Sequence, residues 1–151
     1  MLKARQVLAD CRKAHSLLDC ESDPQNFRIL FTAAVSLCRA VGHVLSKIDA
    51  AENPSIARQI EGLWKEVKTQ REKHRIFHDF IERQRNLVLK EYEFLHVDSP
   101  QTVTIPSGEA FVLDDLLFCP VSDGEYAGVD CRDLLAEAIE WWETMLNVIE
   151  S

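Results

Sequence analysis

The sequence predicts a mainly α-helical fold: an antiparallel helical bundle with a small β-hairpin before the C-terminal helix. Three observations carry that expectation. Apolar residues recur at spacings of three and four through most of the first 96 positions. Capping residues followed by proline open two of the helical stretches. Near residue 102 the pattern switches to short extended runs around Pro106-Ser107-Gly108. The 151 residues form one domain, 1–151, divided into a helical bundle (1–96), a hairpin with loops (97–129) and a C-terminal helix (130–150).

The first helix spans residues 2–19, with Ala4, Val7, Leu8, Cys11, Ala14, Leu17 and Leu18 on its apolar face. Ser22-Asp23-Pro24 starts the second, which is expected to bury Phe27, Leu30, Phe31, Ala34, Leu37, Cys38, Val41, Val44, Leu45 and Ile48. Gly42 interrupts that helix at a cost of ~1 kcal/mol relative to alanine, which points to the close approach of a neighbouring helix. Asn53-Pro54 opens a third helix on Ile56, Ile60, Leu63, Trp64 and Val67. Between Lys68 and Arg75 the stripe disappears without a proline or glycine, so a bend or break is expected near 70–75. It resumes at Phe77, Phe80, Ile81, Leu87, Val88, Tyr92 and Leu95.

The composition changes at Asp98-Ser99-Pro100, and Thr102–Leu113 reads as two strands. Leu116–Val121 adds another short extended piece and 122–128 a turn. Asp130 caps the last helix, whose inward residues are Leu134, Leu135, Ala138, Ile139, Trp142, Met145, Leu146 and Ile149. Trp141 and Trp142 point about 100° apart, one to the core and one to the rim.

Charge is distributed unevenly. Residues 65–90 hold 8 basic and 4 acidic groups, whereas 91–151 hold 14 acidic groups and one basic residue, Arg132. An acidic segment of this kind can screen a basic helix in the same chain or attract a cationic partner. The net charge of −8 disfavours simple wrapping of nucleic acid. Five cysteines without a Cys-x-x-Cys pair fit buried thiols better than zinc or a disulfide framework. A charged N-terminus and the lack of an apolar run near ~20 residues predict a soluble, cytoplasmic protein without membrane contact.

The most informative stretch is 77–92. Arg85-Asn86, three residues, then Lys90-Glu91-Tyr92 near a helix end resembles the signature of the HEPN (higher eukaryote and prokaryote nucleotide-binding) superfamily. That family carries arginine, usually a polar residue, three more residues and a histidine, often followed by Glu-Tyr. The resemblance implies a dimerising bundle of four or more helices with the two motifs facing across a cleft. Many members are metal-independent ribonucleases in toxin–antitoxin or antiviral systems, and others act by binding alone. Here Lys90 stands where the family places histidine. A lysine of ordinary pKa ~10.4 is a poor general base at neutral pH. It can still hold a phosphate as a fixed charge.

On a regular helical wheel His74, His78, Glu82 and Arg85 fall within about 80° of one another. His74 and His78, with Glu82, have the i, i+4 spacing of a metal pair but lack the remaining ligands of a metalloprotease helix. A polar edge with a His–Glu pair is the favoured reading, with no metal and no cofactor expected. Arg85, Asn86, Lys90, His78 and Glu82 are the candidate binding residues, and no catalytic residue is assigned. Phosphate-binding glycine loops and nucleophile elbows are absent from the sequence.

Three functions therefore stand side by side. The first is a non-catalytic HEPN-like homodimer that binds a protein, a nucleotide or RNA. The second is a ribonuclease with Lys90 in place of the family histidine, and the third an adaptor bundle.

Overall fold

The computed structural model describes residues 1–96, 100–114 and 116–151. Five helices pack together: α1 (Lys3–Asp19), α2 (Pro24–Glu52), α3 (Pro54–Thr69), α4 (76–91) and α5 (Cys131–Glu150). An antiparallel hairpin of β1 (Thr102–Thr104) and β2 (Ala110–Val112) precedes α5.

The helix starts follow from capping chemistry. Asp23, Asn53 and Asp130 each accept a hydrogen bond from a backbone N–H of the first turn, at Asn26, Ser55 and Arg132 respectively. Pro24 and Pro54 occupy first positions that need no N–H donor. Helix α1 has no local cap. Its first N–H groups, on Lys3 and Ala4, donate to the carboxylate of Asp49 at 2.7 and 2.9 Å, so α2 caps α1 across the bundle.

Two π-helical segments, Leu45–Asp49 in α2 and Ile76–Glu82 in α4, widen the helical turn. The first explains a departure from the expected core. Ile48 is exposed and Asp49 is buried, because the wide turn rotates the chain past the regular phase. The turn at 70–75 separates α3 from α4, as the loss of the apolar stripe there predicts. Helix α4 stops at Glu91. Tyr92 takes a left-handed conformation (φ 53°) and Glu93 N–H closes on the Leu87 carbonyl, so Tyr92 is exposed rather than part of the stripe. Leu17 is likewise exposed.

The short connection after α1 folds α2 back along it, and α5 packs on all four other helices. The core holds Phe27, Phe31, Phe80, Leu45, Leu135 and a fully buried Trp142. Gly42 sits where Trp142 of α5 and Trp64 of α3 both reach α2: a Cβ there would lie 2.9 Å from the Cη2 atom of each ring. Trp141 is half-buried, so the tryptophan pair divides between core and rim. Cys11, Cys38 and Cys131 are buried; a hydrogen bond with the Cys11 thiol, then burial, raises Cys38 well above the usual thiol pKa, and burial with nearby Asp130 and Cys119 raises Cys131.

By length and composition alone α2 is apolar enough to cross a bilayer, with a mean hydropathy of 1.6 in its most apolar stretch. A helix at the centre of a bundle passes the same test, because burial in protein selects the same side chains. Of the remaining expectations, Leu116–Val121 is less regular than a strand: Val121 bridges His96 and Pro120 bridges Asp130. The boundary at Asp98-Ser99 lies outside the described residues.

Candidate functional site

Helix α4 carries every candidate residue, but the structure sends them to different places. Lys90 is exposed at the helix end, five residues from Arg85 and hence about 140° around the helix from it. Arg85 and Asn86 are half-buried, and the Arg85 Nη1 donates to the Asn86 Oδ1 at 2.9 Å. This bond holds the guanidinium along the helix surface.

His78 turns toward α3. Its Nε2 lies 2.8 Å from the Val67 carbonyl, an acceptor, so that nitrogen carries the proton. The expected His78–Glu82 pair is therefore replaced by a contact with the last turn of α3, whose orphan carbonyls need donors.

His74 leaves the strip altogether. It lies in the turn before α4, buried, where its Nδ1 accepts from the Trp141 indole N–H at 3.1 Å and its Nε2 faces Glu66 Oε1 at 3.2 Å. Glu66 also accepts from Lys73. The Lys73 and His74 hydrogen bonds hold the Glu66 carboxyl below its ordinary pKa. Trp141–His74–Glu66 thus ties α5 to the end of α3 and serves packing. Among the described residues no group of three His, Cys, Asp or Glu side chains is placed to hold a metal.

What gathers around Arg85 instead comes from α2. Arg39 is half-buried with its guanidinium carbon 5.3 Å from the Phe77 ring centroid, a cation–π contact. Desolvation lowers the Arg39 pKa. Glu82 opposes that shift and Arg85 adds to it, which places both α4 side chains within electrostatic reach of Arg39. One turn further along α2, His43 lies at the rim. Burial pushes its imidazole below the usual value, and the positive charges of Arg39, Arg85 and Lys47 push it further. Glu82 and Arg85 lie within electrostatic reach of Arg39, and Arg39, Arg85 and Lys47 within reach of His43, in a chain whose net charge is −8.

This cluster lies on the surface where α2 meets α4. The grooves of 640 and 660 Å³ lie along α5 and contain none of Arg85, Asn86, Lys90, His78 and Glu82. Both helices at the junction carry a π-helical segment, a device that re-aims side chains and is frequent at functional sites. Arg39 and His43 were not among the residues the sequence singled out. Their i, i+4 spacing on the flank of the α2 stripe is visible, but their significance appears only once α2 lies against α4.

The remaining basic residues of α4 and the turn before it are already satisfied. Arg83 pairs with Asp123 at 2.8 Å, and Arg75 pairs with Glu72 and Glu125. Two acids of the 122–128 loop thereby screen arginines in the same chain, as the charge polarity of the sequence suggested. Comparison with protein families, with curated proteins and with solved structures finds no match.

Proposed function

We propose that this is a HEPN-like, cytoplasmic, homodimeric helical protein that acts by binding rather than by catalysis. Its contact with ligand is the Arg39–His43–Arg85 junction, and the ligand is the phosphate of a nucleotide or of RNA. The observation that carries the reading is the concentration of positive charge there, in a protein whose net charge is −8. Arginine forks suit phosphate geometry, and partial burial strengthens each charge by excluding water. Lys90 plays no part in this contact because it is exposed and turned away. A defence or toxin–antitoxin setting belongs to the same proposal and rests on the resemblance of 85–92 alone.

A ribonuclease remains the second reading, and one observation favours it. His43 supplies an imidazole, with a pKa lowered from 6.5, within electrostatic range of Arg85. An imidazole is the group that Lys90 fails to provide, and one lowered by burial and neighbouring cations is neutral and free to accept a proton at pH 7.

One experiment separates these readings. A fluorescent single-stranded RNA is titrated with the protein while a gel reports its length. Binding with intact RNA, lost in Arg39→Ala and Arg85→Ala, supports the binding role. Cleavage abolished by His43→Ala supports the enzyme, and RNA neither bound nor cut removes both. Sedimentation of the same samples tests the homodimer.

A further inference from the structure

The two grooves along α5 adjoin. The 640 and 660 Å³ parts share Lys73, Thr144 and Met145, so together they follow α5 from Glu137 to Ile149. The α5 residues that line them recur at spacings of three and four, one helical face about 18 Å long. The opposite wall changes along that length. Beside Val148 and Ile149 it is the Gln59–Glu66 face of α3. Beside Glu137 it is the turn before α4 together with Tyr126.

The α3 end is apolar. Leu63, Met145, Val148 and Ile149 line it, and Val148 is 60% exposed. Gly62 lies on its wall, where a Cβ would meet nothing within 4 Å. Packing within the described residues therefore gives no reason for a mid-helix glycine that costs ~1 kcal/mol relative to alanine. What the missing side chain leaves is room in the groove. The charges at this end cancel, because Lys73 is paired with Glu66.

The other end is aromatic and acidic. Tyr126 and Trp141 are both half-buried there, and Tyr126 makes no side-chain hydrogen bond or ring contact among the described residues. Arg75, the remaining cation of the lining, is engaged by Glu72 and Glu125. Glu137 has no ion pair among the described residues, and Glu140 reaches Arg12 only at 3.9 Å with its side chain 77% exposed. Burial, then the charge of Glu137, pushes the Tyr126 phenol up to about 12, which places that carboxylate within electrostatic reach of the ring.

The two ends select the two ends of a ligand. A positive charge beside Glu137 and Glu140 is attracted by both carboxylates and by the face of Trp141 or Tyr126, whereas an anion is repelled. A chain attached to that charge finds apolar cover along α3. We propose that the groove binds an elongated amphiphile with a cationic head, a long-chain amine or quaternary ammonium, with its head at Glu137 and Glu140 and its tail over Gly62. The site is separate from the α2–α4 junction, and either assignment can fail without the other.

The test is calorimetric titration of the full chain with decyltrimethylammonium below its micelle concentration, with butyltrimethylammonium and decanoate as matched probes. The proposal expects saturable binding of the decyl cation, at least about tenfold weaker binding of the butyl cation, and no binding of decanoate. Each methylene that leaves the groove is worth about fourfold. Gly62→Met, whose side chain starts in open space, should weaken the decyl cation about tenfold or more and leave the butyl cation unchanged. Glu137→Gln with Glu140→Gln should weaken both cations about tenfold or more. Asp133→Asn with Glu91→Gln removes as much charge outside the groove and should change neither. Four results overturn the proposal: no saturable binding of the decyl cation, equal binding of decanoate, an unchanged decyl affinity in Gly62→Met, or equal losses in the groove and control charge variants.

Discussion

Replacing Gly42 by alanine adds one methyl group at the point where three helices meet. The new Cβ would stand 2.9 Å from Cη2 of both Trp142 and Trp64 and 3.0 Å from Cζ2 of Trp64. Carbon atoms settle at about 3.5–4.0 Å, so both rings must retreat by roughly 0.6 Å or more. Neither is free to do so. Trp142 is fully buried, and the Trp64 indole N–H is held by Ser46 Oγ at 2.7 Å. Overpacking of this kind costs about 1–3 kcal/mol. Gly62, in α3, is the matched control, because a Cβ there meets nothing within 4 Å. Both substitutions gain about 1 kcal/mol of helix propensity, which cancels in the comparison. Gly42→Ala is therefore expected to be about 1–3 kcal/mol less stable than Gly62→Ala, and Gly62→Ala more stable than the parent. Urea unfolding followed by tryptophan fluorescence measures both, with an unchanged slope expected. If Gly42→Ala equals or exceeds Gly62→Ala in midpoint, the proposed meeting of the two tryptophans at Gly42 is wrong.

Three further outcomes follow from named contacts. Asp49→Ala removes the acceptors of two N–H groups at the start of α1 and should cost about 1–2 kcal/mol in denaturant unfolding, with Asp49→Asn losing less. Trp141→Phe leaves the Nδ1 of buried His74 without its donor and should cost about 1–3 kcal/mol, an expectation that an unchanged melting temperature would refute. Acid should destabilise the fold through three carboxylates. Glu66 is held low by Lys73 and His74, and Glu143 by Arg5 and Arg12. Asp130 is pushed up by burial but held lower still by the Arg132 side chain and the Cys119 and Arg132 N–H groups. Because each folded-state pKa lies below its unfolded value, their stabilisation is complete above the ordinary carboxylate range. It is lost as pH falls through the depressed values. Thermal unfolding between pH 7 and 2 should show the decline beginning near pH ~4.5, and a flat profile would contradict it.

Much of the architecture is legible in local chemistry. Asp23-Pro24, Asn53-Pro54 and Asp130 each open a helix by the side-chain cap their positions suggest. Pro106-Ser107-Gly108 makes the hairpin turn, with Gly108 at φ 90°. Gly42 marks a close approach, and the structure adds that tryptophan rings make it. The π-helical segments left no such mark. Each changes helical phase by a fraction of a turn, enough to exchange Ile48 for Asp49 in the interior, and no residue type announces it. The same holds for the site. Periodicity places Arg85 on a flank of α4, but it cannot say that Arg39 and His43, more than 40 positions away, share that junction. The wheel that grouped His74 with His78 assumed one regular helix, whereas His74 belongs to the turn before it.

His43 reports most directly on the α2–α4 junction. Burial and the positive charges of Arg39, Arg85 and Lys47 depress its imidazole pKa. A phosphate bound at the junction adds negative charge and must move that pKa upward. NMR titration of the His43 ring, without and with a ribonucleoside monophosphate at saturation, reads the shift residue by residue. The expected result is a pKa below 6.5 in the free protein, a rise on addition of the nucleotide, and no rise in Arg39→Ala with Arg85→Ala. A His43 titration that the nucleotide leaves unchanged would contradict a phosphate site at this junction.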